Sequence, residues 1–264
     1  MSYNDDSAFV EIFLDPVRKC AAYRPAFGQS RSSGVGFEQF AQIYGEDPFY
    51  SLIGMTVPAV YAAHRAAGGM TSVYRQLGIG AERLFRAILS RQLGLNPQQL
   101  AWSYTYPAGD KVKVHTLDAR VALEDLHKER QKHLADWITG ALSSIHRPVD
   151  AATKGVVFEV RQGYKSADSK RQNADLRFGL NAYQARLLPA FAIFSSQVSV
   201  PVIERYRNDG MIVLTGLLTD DVYRSTFAFL STVAGYDLIG FFERNQEEIR
   251  TEVQSVVKTL LTPE

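Results

Sequence analysis

The sequence predicts an α/β fold in which a mixed central sheet is flanked by helices, with further helices at both ends of the chain. Three observations point there. Apolar residues recur at helical spacing in several stretches, most clearly over residues 70–94 and 121–144. Two alternating stretches rich in aromatic or β-branched residues, 100–106 and 111–117, flank Pro107-Ala108-Gly109-Asp110 and read as a hairpin. Short apolar runs at 155–162, 189–196 and 211–215 read as buried strands, and interleaved with helices they describe an α/β sandwich.

Taken in order, Val10, Phe13, Leu14 and Val17 have helical spacing, with Pro16 and Pro25 as punctuation. Residues 28–36 (GQSRSSGVG) form a flexible loop carrying Arg31. Residues 58–65 and 70–94 are helical, and Gly78 and Gly80 interrupt the second stretch. LAWSYTY and KVKVHTL are the two hairpin strands. A long polar helix then covers 121–144, with Leu123, Leu126, Leu134, Trp137, Ile138 and Leu142 on one side. Pro148 ends it. GVVFEVRQ (155–162) is a strand, and the polar loop 163–170 leads into a helix over 172–187. PAFAIFSS and MIVLT are strands, and helices over 220–234 and 237–261 close the chain. No internal repeat or low-complexity segment is present, so a single domain spanning residues 1–264 is expected.

Composition excludes several classes. With 46% apolar and 22% charged residues the chain is ordinary globular protein, long enough for a large core. Net charge is +1, so affinity for nucleic acid would need a local basic face. A single cysteine, Cys20, excludes an internal disulfide and a thiolate zinc site, and reads as a small buried hydrophobe. Five scattered histidines form no HxxxH pair, and His115, alternating with Val114 and Thr116, reads as structural. Gly78-x-Gly80 does not follow a strand and is no phosphate loop. No apolar run reaches the length of a membrane span, about 18 residues. The acidic start MSYNDDSAFVEIFLDP argues against a secretory leader, so a soluble cytoplasmic protein is expected.

The chemistry concentrates in FEVRQGYKSADSKRQNAD, residues 158–175. Alternation puts Glu159 and Arg161 on one face of a strand, and Lys165 lies just past its end. Glu159 is flanked by Val157, Phe158 and Val160, and a carboxylate in so apolar a strand needs a cation or donors. An ion pair with Arg161 or Lys165 would supply that; so would a metal. Asp118 ends the second hairpin strand, where an aspartate also serves as a turn former or helix cap. Glu82 lies in the helical stretch GIGAERLF, where a solvated face is the plain alternative.

Together these residues resemble the PD-(D/E)XK nuclease superfamily, in particular type II restriction endonucleases. The matching parts are the helix with Glu82, the hairpin with Asp118, Glu159-Val160-Arg161 on its strand, and the helix and strand that follow. GGMTSVYRQLGIGAERLF (68–85) and EVRQGYKSADSKRQNADL (159–176) are also similar to stretches of such enzymes. The resemblance covers about residues 68–215 and implies a restriction-endonuclease-like core there. Residues 1–67 and 216–264 would be helical additions. Where the family has a lysine two residues after the acid, this chain has Arg161; Arg161, Gln162 or Lys165 would take that role. Asp150, in Pro148-Val149-Asp150, rivals Asp118, which is preferred because it ends a strand.

The resemblance implies Mg2+-dependent cleavage of double-stranded DNA by a homodimer. Asp118 and Glu159 would hold the ion, and Glu82 would be an outer or second-ion ligand. Lys165, then Arg161 or Gln162, would orient the attacking water. Tyr164, Ser166, Ser169, Lys170, Arg171 and Gln172 form a polar, basic loop suited to DNA contact, and Arg31, Gln29 and Gln172 are candidates for reading bases. The alternatives are another nuclease of the superfamily, acting in repair or on RNA, and a non-catalytic nucleic-acid-binding protein.

Overall fold

The computed structural model describes residues 5–28, 34–164 and 169–262; the side chains of Ser169 and Lys170 lie outside the description. The chain divides into two compact units, Met1–Gly80 with Arg244–Glu264, and Ala81–Glu243. Among the described residues no helix is long and apolar enough to cross a membrane.

The first unit is helical. It holds α1 (Asp6–Arg18), α2 (Phe37–Glu46), the short α3 (Pro48–Leu52) and the first part of α4 (Pro58–Leu93). The sequence expectation of two helices broken by glycine is corrected: α4 is continuous over 36 residues. Gly69 and Gly80 mark close packing instead. A Cβ at Gly80 would lie 2.4 Å from the Phe13 carbonyl oxygen, and one at Gly69 would meet the Leu260 side chain at 2.7 Å. The missing side chains let neighbouring segments approach, which offsets the helix-propensity cost of glycine. Cys20 is buried with Val17, Val73, Val256 and Leu260, as a small hydrophobe.

The second unit carries the sheets. After α4 come α5 (Pro97–Leu100), then β1 (Trp102–Ala108) and β2 (Lys111–Leu117), an antiparallel hairpin closed by Gly109 and Asp110. Gly109 has φ 63, the left-handed conformation that a two-residue turn requires. β3 (Ala119–Ala122) follows at once, and α6 begins only at Lys128 and ends at Ser144. The helix expected from residue 121 is therefore wrong at its start. Residues 119–122, apolar except for Arg120, pair with the next strand, a tertiary demand that periodicity could not reveal.

The remaining elements are β4 (Gly155–Arg161), α7 (Ser169–Gln184), β5 (Leu187–Ile193), α8 (Val200–Asn208), β6 (Ile212–Leu214), α9 (Thr226–Phe229) and α10 (Leu238–Arg244). α11 (Gln246–Leu261) returns to the first unit. The main sheet runs β3-β4-β5-β6, with β3 antiparallel to β4 and the other pairs parallel. The fold is thus mixed α/β, with a four-stranded mixed sheet and a separate hairpin. β5 is buried along its whole length and β4 at every position but Glu159, as inner parallel strands are when both faces are covered. Phe158 packs on one face of β4 with Phe85 and Phe229. Val157 joins Phe178, Phe191 and Tyr206 on the other. Such burial supplies the main stabilisation of the sheet, about 1.5–3 kcal/mol for each large apolar side chain.

Candidate active site

The site forms where the hairpin runs into the main sheet. Ala119 is paired with Phe158, so the antiparallel register carries Asp118 to the position across from Glu159. Two hydrogen bonds from main-chain amides fix the junction. The Asp118 amide donates to the Phe158 carbonyl at 3.2 Å, and the Val160 amide donates to Asp118 Oδ2 at 2.6 Å. Asp150, the rival acid, stands elsewhere: it is exposed and closes its own turn by accepting from the Ala152 amide.

Three carboxylates feel one another. Burial and the charges of Glu159 and Glu82 push the Asp118 carboxyl up to about 8. Burial and Glu159 also raise Glu82, against the pull of Arg86 and Arg83. For Glu159 burial opposes ionisation, but His115 and Arg161 outweigh it and hold its carboxyl below the usual range. Of the three, Asp118 is the member most readily kept protonated.

Arg161, two residues after Glu159 on β4, points inward. It is 6% exposed and grips Asp175 with two bonds, Nη1 to Oδ2 at 3.0 Å and Nη2 to Oδ1 at 2.5 Å. Nη2 also donates to Glu159 Oε1 at 3.3 Å. The guanidinium lies over the rings of Tyr164, 4.7 Å away, and Phe191, 5.0 Å away. Tyr206 and Tyr164 both donate to Asp175 Oδ2, at 2.5 and 3.2 Å. Arg161 is thus part of a buried network that ends on Glu159. The predicted ion pair exists, and Asp175 is its main anchor.

Of the other predicted residues, Gln162 makes no side-chain bond to either acid among the described residues. Lys165, Ser166, Arg31 and Gln29, and the side chains of Ser169 and Lys170, lie outside the description. Arg171 is exposed, and its guanidinium sits 5.3 Å from the Tyr164 ring. Two expected DNA contacts are corrected. Tyr164 is 2% exposed with its hydroxyl turned to Asp175, and Gln172 is buried and accepts from Arg205 at 2.6 Å. A polar loop next to acids looked like surface, but both polar groups are satisfied inside, Tyr164 by Asp175 and Tyr206 and Gln172 by Arg205.

Sequence reading missed three members of the site. His115 Nε2 lies 3.8 Å from Glu159 Oε2, too far for a hydrogen bond. Asp175 and Tyr206 complete the network. A signal for Asp175 was present: it shares helical spacing with Phe178 and Ala182 on the buried face of α7, where a carboxylate needs a partner. Among the described residues no group of three or more His, Cys, Asp or Glu is arranged to hold a metal ion. Comparison with known proteins gives no matching family model, no matching curated protein and no matching solved structure.

Proposed function

We propose that this chain is a Mg2+-dependent endonuclease of the type II restriction class, on the PD-(D/E)XK plan, that hydrolyses double-stranded DNA as a homodimer. The observation that carries the reading is the meeting of Asp118 and Glu159 across the β3–β4 pairing, with Glu82 in their field. The element order supports a restriction-endonuclease-like core: a helix with Glu82, a hairpin leading to Asp118, the Glu159 strand, a helix and a parallel strand.

The residues fit a hard cation as a two-carboxylate site. Mg2+ takes oxygen donors, keeps several waters and needs only one or two carboxylates, so a third protein donor is not required. Burial, together with the charges of Glu159 and Glu82, lifts Asp118 to about 8, and a divalent charge beside it would offset that. Asp118 and Glu159 would hold the ion, with Glu82 behind them. When bound it would neutralise charge on the phosphate and acidify an attacking water. The chain's own part is orientation. The Val160 amide fixes Asp118, and Arg161, anchored on Asp175, fixes Glu159. Hydrolysis joins a water oxygen to phosphorus and breaks the P–O3′ bond. The water's proton is given up, the leaving oxygen takes one, and a 5′-phosphate and a 3′-hydroxyl remain.

One observation favours a non-catalytic nucleic-acid-binding protein instead: Arg161 already satisfies Glu159 within the fold. Incubating a long plasmid with the protein and Mg2+ separates the readings. Discrete fragments support restriction, a smear supports another nuclease of the superfamily, and binding without cutting supports the binding protein. Glu159→Ala should abolish cleavage while circular dichroism shows a folded chain; wild-type cleavage by that variant would refute the site. Asp118→Ala should lose activity where Asp150→Ala keeps it.

A further inference from the structure

With Tyr164 and Gln172 buried, the DNA-facing surface has to be sought elsewhere around the acids, and the hairpin supplies it. Cross-strand pairing sets Tyr104 against His115 and Tyr106 against Lys113, and alternation puts all four on one face. That face adjoins Glu159 through His115. It continues to Arg177 on α7, whose guanidinium stacks 4.5 Å from the Tyr106 ring. Tyr104, between them, is pushed up to about 12 by burial, while its hydroxyl feels the Arg177 charge and the Glu159 charge with opposite sign. Lys113 and Arg177 are exposed and His115 is 40% exposed at its side chain, so all three are reachable from solvent. Arg161 is not.

We infer that this face of the hairpin, with Lys113 and Arg177, holds the phosphodiester backbone of the cleaved strand, and that His115 contacts the phosphate at the cut. The inference rests on the nuclease reading and moves the backbone contact from the loop after β4 to β2 and α7. Lys113 and His115 are two residues apart on a strand, roughly 6.6–6.8 Å, of the order of the separation between neighbouring phosphates. Lys113 and Arg177 then fix register without reading sequence. His115 supplies the side-chain nitrogen beside the acids that Arg161, committed to Asp175 and Glu159, cannot.

The test combines duplex binding by fluorescence anisotropy, across a range of salt, with single-turnover cleavage in Mg2+. Lys113→Ala and Arg177→Ala should each weaken binding severalfold, equally on cognate and unrelated duplexes, and each should lower the slope of log affinity against log salt by about one. Arg177→Lys, which keeps the charge, should retain most of the binding and so guards against a purely structural effect of losing the Tyr106 stack. Lys132→Ala, removing an exposed cation that pairs with Asp136 on α6, should change nothing. His115→Ala should bind within about twofold of wild type and cut on the order of 100-fold more slowly, the scale of losing a positioned catalytic side chain. Wild-type binding by both cation variants, or wild-type cutting by His115→Ala, overturns the inference and leaves the nuclease reading standing. A wild-type protein that cuts no DNA overturns that reading, and the inference with it.

Discussion

At the scale of single residues the buried guanidinium of Arg161 is governed by its counter-charge. Asp175 supplies two of its hydrogen bonds, and Tyr206 and Tyr164 in turn satisfy Asp175. Removing one partner of such a pair leaves the other charged and out of water, at a cost of about 3–5 kcal/mol. Asp175→Asn should approach that loss in urea unfolding, even though it touches neither Asp118 nor Glu82. Replacing both partners with apolar residues of similar volume, Arg161→Met with Asp175→Leu, should restore much of the stability. On the proposed function the double variant should still lose cleavage, because Glu159 then lacks the guanidinium that orients it. A single Asp175→Asn variant that unfolds at the wild-type urea concentration would show that Arg161 does not depend on this anchor.

At the scale of elements the decisive event is the pairing of β3 with β4, and Gly155 permits it. A Cβ there would stand 2.2 Å from the Val121 carbonyl oxygen and 2.8 Å from the Ala122 Cα, so β3 could not stay in place. Gly155→Ala should therefore destabilise the second unit. In protein that remains folded it should also cut cleavage well beyond the change in folded fraction, because the displaced strand carries Asp118 with it. Single-turnover rates corrected for folded fraction check this; an uncorrected loss that vanishes on correction would sink it. The same pairing shows where sequence reading stopped. β4 and β5 were legible because inner parallel strands are continuous apolar runs, and the hairpin was legible from alternation about Gly109. β3 was not, since Ala119 to Ala122 has no period of its own and becomes a strand only through its partner. Glu159 was legible as a carboxylate out of place on an apolar strand. His115 was not, because its meaning comes from a neighbour 44 positions later in the chain, which no local pattern encodes.

At the scale of the whole molecule the acids couple stability to pH and, on the proposed function, to Mg2+ as well. The Asp118 carboxyl in the folded chain sits at about 8 against an ordinary value of 3.8, so between these the folded state holds more protons than the unfolded one. Stability then falls as pH rises through that window and levels off above about 8. Glu159, held below its usual range, has the opposite sign and acts only in more acid solution, where its contribution is lost as pH falls. Metal-free protein should therefore show a Tm that declines from about pH 5 to about pH 8, and Asp118→Asn should remove most of the decline. Mg2+ favours ionised carboxylates, so it should raise Tm more at pH 8 than at pH 5. The gain is about 2.7 kcal/mol at a hundredfold excess over the dissociation constant, and it should be absent in Asp118→Asn. Calorimetry at the two pH values, with and without Mg2+, tests both signs together. Equal Mg2+ stabilisation of wild type and Asp118→Asn would mean that the ion binds elsewhere, and that the carboxylates facing each other across β3 and β4 serve the fold alone.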